Sequence, residues 1–405
     1  MTDPAHLSAL VDQIVPRVRA LRHQIHQHPE LAREEFETAA RVRRVLAPLD
    51  LRVLKPYLET DVVALLAGHG PGPCVALRAD MDALPLEEKT GLPYRSRIAG
   101  RMHACGHDGH TAMLCGAALV LNRLRKSFDG TVRFVFQPGE ENVAAGRDLV
   151  AAGALDRPAP AANYALALHG WGGHPIGQIA ARPGLAFANA AMFRIDIRGK
   201  GAHGSQPHLA VDPLLTGARI VEALQSVPAG GFNPLAPLVV QVTHFEAGHT
   251  SNVIPDEAFL EGTVRTLDSR IARAVPGQIR RIANGICSAT GAHARVHYTQ
   301  PYVPLHNNAA VVDRGRRVAR NLFGRQGWAE VRDPSMGGED FAYFLRKRPG
   351  ALFRLGMGRH SAPGHSPFYD FEDRALRNGI LFLVRMTLDI LESPQQTRQT
   401  HAGRK

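Results

Sequence analysis

The sequence predicts an α/β protein: a mixed, mostly parallel sheet with helices on both faces, interrupted by a smaller α+β insert. Three observations carry that expectation. Short β-rich runs alternate with helical stretches through the first 170 residues, as in chains that connect parallel strands through helices. From about residue 187 the strands become alternately polar and apolar, and a βαββαβ succession of ~110 residues follows. After Pro301 helix and strand patterns resume up to about residue 392.

The elements follow in order. Leu7, Leu10, Val11, Ile14 and Val18 recur at three- and four-residue spacing, on one face of a first helix. Pro29 interrupts, and a second helix is expected from about Glu34 to Leu46. VVALLAG (62–68) and CVALRA (74–79) read as strands, AMLCGAALVLNRLRK (112–126) as a helix, and TVRFVF (131–136) and YALALH (164–169) as further strands. In the insert, MFRIDIRG (192–199) alternates as a half-exposed strand does. A helix at about 212–226, strands at 238–248 and 258–268, a helix at 269–290 and a strand at 293–299 complete it. The expected organisation is a discontinuous domain of 1–186 and 300–392, an inserted lid or dimerisation domain at 187–299, and a polar, disordered tail at 393–405.

Composition excludes several classes. No run of about 18 apolar residues is present, so no membrane helix is expected. MTDPAHLSAL has neither a basic nor an apolar signal region. The four cysteines, Cys74, Cys105, Cys115 and Cys287, are scattered and form neither a disulfide framework nor a CxxC pair. A cytoplasmic protein is expected. The formal charge of +11 comes from 48 bases, only 6 of them Lys, against 37 acids. No block of five or six like charges occurs, so the balance reads as surface bias and no nucleic-acid partner is expected.

The residues able to carry chemistry gather after strands. Asp80 and Asp82 follow 74–79, Glu140 and Glu141 follow 131–136, and His169 ends the run at 164–168. HACGHDGH (103–110) reads as a loop leading into a helix. In open parallel sheets sites form beyond the carboxyl ends of the strands, so these groups converge on one edge. Cys115 lies in an apolar helix and reads as core, whereas Cys105 sits in a Gly- and His-rich loop. Cys, His and Glu together suit zinc, manganese, nickel or cobalt better than calcium or magnesium. A thiolate can bridge two cations, which together activate a water and polarise a carbonyl. Of two adjacent glutamates, one can bind metal while the other moves the proton.

The motifs ALRADMDALPLEE (76–88), MHACGHDGHTAML (102–114), FQPGEE (136–141), GKGAHGSQPHLAVDP (199–213), SNVIPD (251–256), GTVRT (262–266), GGEDFAYF (337–344) and GHSPFYDF (364–371) resemble, in order and spacing, the amidohydrolases of the aminoacylase and carboxypeptidase G superfamily. The branch they resemble is that of hippurate hydrolases and indole-acetyl-amino-acid hydrolases. The resemblance implies two divalent cations per subunit, held by Cys105, His107, Glu141, His169 and His365. It implies Glu140 as general base and acid, and Asp82 as the carboxylate that orients the metal shell. Asp80 stands where more distant relatives carry a ligating His and is not assigned as a ligand. In the insert, His203 matches the residue that polarises the scissile carbonyl, and Asn252 and Arg265 match residues that face the substrate. Arg265, or a main-chain N–H near Gly337-Gly338, is the candidate for holding a substrate carboxylate. His103 and His110 flank the ligand loop as candidate orienters, and His23, His26 and His28 read as structural. The implied reaction is hydrolysis of N-acyl amino acids to a carboxylic acid and a free amino acid. A dipeptidase using the same site is the alternative, and a noncatalytic metal- or nucleic-acid-binding protein a more remote one. In several relatives the inserted domain dimerises, so the resemblance implies a homodimer or homotetramer formed through the insert.

Overall fold

The computed structural model describes residues 3–393; the tail expected to be disordered lies, beyond Ser393, outside the described residues. The chain forms two compact units. One contains the described residues up to Gly184, Asn307–Arg332 and those from Tyr343 onward; the other contains Leu185–His306 and Asp333–Ala342. Residues 333–342 therefore group with the second unit although they lie past Pro301.

The first unit is built on an eight-stranded sheet. Its order is Arg52–Val53, Val62–Ala67, Thr131–Gln137, Cys74–Asp80, Tyr164–Trp171, Gly350–Gly356, Ile179–Ala181, Trp328–Glu330. The four central strands, from Thr131–Gln137 to Gly350–Gly356, are mutually parallel, and antiparallel pairs occur towards both edges. Cys74–Asp80 and Thr131–Gln137 are buried at every position, the pattern of strands covered on both faces. The chain passes from Cys74–Asp80 to a neighbour on one side and then to Tyr164–Trp171 on the other. That reversal is a switch point, where an α/β sheet opens a crevice at its carboxyl edge.

The helices follow their sequence signals. Pro4–His26 opens on Asp3, whose side chain accepts the N–H of Ala5, with Pro4 at the first position. It buries Leu7, Val11, Ile14, Val18, Leu21 and Ile25 along one stripe. Ala375–Glu392 and His107–Leu124 bury most of their length in the same core, which includes Cys115.

Two expected boundaries shift, both beside the site. The third helix begins at His107, not near residue 112. Gly106, with φ 87°, turns the chain directly into it. The first turn, HDGH, is polar yet buried, so it contributes nothing to the apolar periodicity that marks a helix in sequence. Likewise Tyr164–Trp171 continues through His169 instead of ending there, because Gly350–Gly356 extends the ladder alongside, pairing Arg354 with His169 and Gly356 with Trp171.

The second unit holds a four-stranded antiparallel sheet ordered Leu238–Ala247, Glu257–Thr266, Asn189–Arg198, His293–Tyr302. The split order is that of the expected βαββαβ succession. Helices Pro213–Gln225 and Ser269–Thr290 are N-capped by Asp212 and Asp268 and contribute Ile220, Leu224, Val275 and Ile279 to a core with Phe193, Ile195, Ile197 and Leu260. A small two-stranded ladder, Ala202–His203 with Val253–Ile254, is an addition that the sequence pattern does not announce.

Candidate metal centre

The register of the sheet explains how distant residues meet. Asp80 pairs with Gln137. His169 lies two residues beyond Ala167, the partner of Arg78, and so is level with Asp80. The carboxyl ends of three parallel strands thus deliver Asp80–Asp82, the Gly139–Glu141 turn and His169 to one edge.

Asp82 organises that edge. Its Oδ1 lies 3.1 Å from His107 Nδ1 and accepts the N–H of Glu140 at 3.0 Å; its Oδ2 accepts the N–H of Glu141 at 2.9 Å. Three donors on one carboxylate place the Nδ1 proton of His107 and leave Nε2 as the lone-pair nitrogen. A second buried carboxylate, Glu35, braces the same turn. Its Oε1 accepts the N–H of Gly139 at 2.8 Å and of Arg33 at 3.0 Å, and its Oε2 accepts the Thr60 hydroxyl at 2.9 Å. Burial, reinforced by the Asp82 charge, pushes Glu35 up to about 7. Backbone strain concentrates here: Asn142 and Ala144 adopt φ of 64° and 50°, and His365 adopts 64°. Non-glycine residues in the left-handed region persist where surrounding contacts over-determine them.

Asp80 and His110 are fully engaged with protein groups. Asp80 Oδ2 accepts from Arg78 Nη1 at 2.6 Å, and Oδ1 lies 2.6 Å from His110 Nδ1. The N–H of Gly170 donates to His110 Nε2 at 2.7 Å, so the proton of a neutral His110 is on Nδ1, pointing at Asp80. Although Asp80, His107, His110 and His169 lie close enough to hold an ion, both ring nitrogens of His110 are already engaged, so His110 has no ligand atom to spare. His110 therefore orients neighbours, as the sequence suggested. His103 does not: burial pushes it down to about 3, and neither ring nitrogen has a hydrogen-bond partner among the described residues.

The five sequence-predicted ligands are brought together. Ligand atoms of Cys105, His107 and Glu141 lie within 4.8 Å of one another. Cys105 Sγ is 3.6 Å from His169 Nε2, and His169 Nδ1 donates to the carbonyl of Gly170 at 2.8 Å, which leaves Nε2 available. His365 Nε2 lies 3.1 Å from Glu141 Oε1, and its backbone N–H is tied to the carbonyl of Ala104 at 2.8 Å. Glu140 is buried beside Glu141.

This set fits a divalent cation. His107 Nε2 is buried without a hydrogen-bond partner among the described residues, and an orphaned buried polar atom requires an explanation. Burial would lower His107, but Asp80, Cys105 and Asp82 outweigh it and hold the imidazole well above its usual range. Burial would raise Glu141, yet His365 and His107 keep it below the ordinary carboxylate range. Asp80 and Asp82 thus favour positive charge at His107, carried by a proton on Nε2 or by a cation in that proton's place. Imidazole, thiolate and carboxylate donors are those of zinc, cobalt, nickel or manganese.

His203, Asn252 and Arg265 belong to the second unit. His203 lies on the small ladder, paired with Val253, and Asn252 precedes that strand in a turn, its carbonyl accepting the N–H of Gly204 at 2.7 Å. The N–H of Ser205 approaches His203 Nδ1 at 3.2 Å, so the imidazole presents its proton at Nε2. Arg265 lies on Glu257–Thr266, half-buried between Val239 and Ala190 of the flanking strands. Burial lowers it below the usual guanidinium range, partly offset by Tyr302.

Glu35 and Arg22 are site-associated residues that the motif reading passes over. Glu35 falls in sequence within the first turn of the expected second helix and reads there as an ordinary charge, whereas the helix begins at Phe36. Arg22 carries a signal: it falls four residues after Val18, on the buried stripe of the first helix.

The model of peptidase family M20/M25/M40 matches residues 76–389. The N-acetylcysteine deacetylase of Bacillus subtilis (strain 168) is 38% identical over 381 residues, covering 93% of this chain and 97% of the relative. The IAA-amino acid hydrolase ILR1-like 5 of Arabidopsis thaliana is 35% identical over 388 residues, covering 93% of this chain and 88% of the relative. Among solved structures, a dinuclear metal binding peptidase from the M20 family of Bacillus subtilis superposes with a TM-score of 0.77 at 34% identity, covering 94% of this chain and 99% of that one. The chain belongs to the M20/M25/M40 peptidase family. It is a hydrolase of the amidohydrolase type, and the family supports divalent metal at the centre. No helix among the described residues is long and apolar enough to cross a membrane.

Proposed function

We propose that the protein hydrolyses the amide bond of N-acyl amino acids, releasing a carboxylic acid and a free amino acid, with two divalent cations held by Cys105, His107, Glu141, His169 and His365. The observation that carries this reading is the Asp82 arrangement. One carboxylate fixes the His107 tautomer and both amides of the Glu140-Glu141 turn, so a ligand and its neighbouring base are set by the same group.

When bound, such cations acidify a water and polarise the amide carbonyl. The chain supplies the rest. Glu140 takes the proton from the attacking water and delivers it to the departing nitrogen. His203, with its proton at Nε2, donates to the carbonyl oxygen as negative charge develops there. Arg265 pairs with the amino-acid carboxylate, for which a guanidinium offers two parallel donors, and Asn252 adds a polar contact to the substrate. The inserted unit forms a homodimer or homotetramer in this reading.

A dipeptidase with the same centre is the second reading, favoured by the structural neighbour described as a peptidase. A panel of N-acetyl-, N-benzoyl- and indole-acetyl-amino acids beside unblocked dipeptides, run on metal-reconstituted protein, separates the two. The expected result is higher kcat/KM on at least one acyl class than on any dipeptide; hydrolysis confined to dipeptides would replace the first reading with the second.

A further inference from the structure

We propose that Arg22 is a positioning residue for the metal centre, a clamp that fixes the segment carrying His365 against the helix carrying His107. The proposal rests on the assignment of those two histidines as ligands.

Arg22 is fully buried. Its Nε donates to Asp108 Oδ2 at 2.8 Å, its Nη1 to Asp373 Oδ1 at 3.1 Å, and its Nη2 to Asp370 Oδ1. Asp108 is the residue after His107, while Asp370 and Asp373 follow His365 on the same segment. One guanidinium thus joins the two ligand-bearing segments through three carboxylates. Its donors lie in one rigid plane, so it sets both distance and angle, which a lysine ammonium cannot do. Aromatic rings flank the group, with the centroids of Tyr94 and Phe371 at 4.8 and 5.9 Å from Cζ. Tyr94 also donates its hydroxyl to Asp370 Oδ2 at 2.8 Å.

The joint has no slack. A Cβ at Gly109 would fall 2.4 Å from the Phe371 ring, and one at Gly106 would fall 2.6 Å from the Tyr369 hydroxyl. The segments are therefore packed to the backbone where Arg22 ties them. His26 shares the load: its Nδ1 lies 2.8 Å from Asp108 Oδ2. Burial alone would lower His26, but Asp108 and Glu88 raise it to about 9. Without Arg22, Asp108, Asp370 and Asp373 would face one another with too little positive charge between them. The His365 segment, already strained at φ 64°, would be free to retreat.

The test uses full-length protein and Zn²⁺ or Mn²⁺ alone, in competition with a chromogenic chelator. Arg22→Lys keeps the charge and loses the fork. Asp370→Asn weakens the clamp on the His365 side only, at a residue whose side chain is 31% exposed. Arg22→Lys is expected to bind metal about 10–100-fold more weakly, the effect of removing a group that orients a ligand, while its far-UV circular dichroism at the assay temperature matches wild type. Asp370→Asn is expected to bind more weakly by a smaller factor, and the double variant no more weakly than Arg22→Lys, because partners in one clamp are not additive. A folded Arg22→Lys with wild-type metal affinity, whatever its melting temperature, would overturn the proposal. If Arg22→Lys does not fold, wild-type affinity in Asp370→Asn overturns it. The measurement needs no substrate, so clamp-dependent metal binding in a protein inactive on every N-acyl amino acid would defeat the functional reading alone.

Discussion

Glu140→Gln is expected to retain wild-type metal content and lose about 10²–10⁴-fold in kcat on an N-acyl amino acid. The substitution keeps the shape of the side chain and removes only its capacity to accept and return a proton. The contacts that place the turn remain, since the backbone N–H of residue 140 still reaches Asp82 Oδ1 and that of Glu141 still reaches Oδ2. Glu141, the adjacent candidate ligand, is untouched. The loss belongs in kcat with KM little changed, because the interaction removed is one made in the transition state. Elemental analysis and steady-state kinetics at saturating metal read the two quantities separately. Near-wild-type turnover would remove Glu140 from the role of base.

Asp82→Asn is expected to act through metal first. Three donors point at the Asp82 oxygens, and an amide side chain can offer an acceptor on only one side. Whichever way it flips, an N–H₂ group faces either the Glu141 N–H or both His107 Nδ1 and the Glu140 N–H. The His107 tautomer is then no longer fixed, and the turn carrying Glu140 and Glu141 loses one of its ties. Loss of such an orienting group costs about 10–100-fold in metal affinity, with turnover falling further at limiting metal. Glu35 still braces Gly139, so the turn is loosened without being lost. Chelator competition on the variant checks this, and wild-type affinity would show that Asp82 does not govern the ligand geometry.

Much of this arrangement is legible in the sequence for a physical reason. Metal ligands gather in short, polar segments at strand ends, where neither helix nor strand periodicity accounts for them, and FQPGEE and HACGHDGH stand out on that ground. The fully buried strands Cys74–Asp80 and Thr131–Gln137 read as apolar runs for the same reason that they are covered on both faces. What escapes the sequence is pairing across long separations. Arg22 lies 86 residues from Asp108 and 351 from Asp373, and no local pattern says which carboxylates a buried arginine meets. Glu35 is 104 residues from Gly139 and is indistinguishable locally from a solvated helix-end charge. The early start of the helix at His107 escapes because its first turn is buried by polar contacts, with His107, Asp108 and His110 each held by a carboxylate or an arginine. His103 shows the converse: its place beside the ligand loop suggests an orienting role, and its surroundings give it no partner among the described residues.

In the proposed reading, one cluster of five side chains makes this chain a binuclear amidohydrolase. This is tested most directly by titrating metal-stripped protein with Zn²⁺, Mn²⁺, Co²⁺ or Ni²⁺ while following bound metal per chain and hydrolysis of an N-acyl amino acid together. Activity is expected to appear only with metal and to reach its plateau as the second equivalent binds. Full activity in the stripped protein, or a plateau at one equivalent with no second ion bound, would contradict that reading.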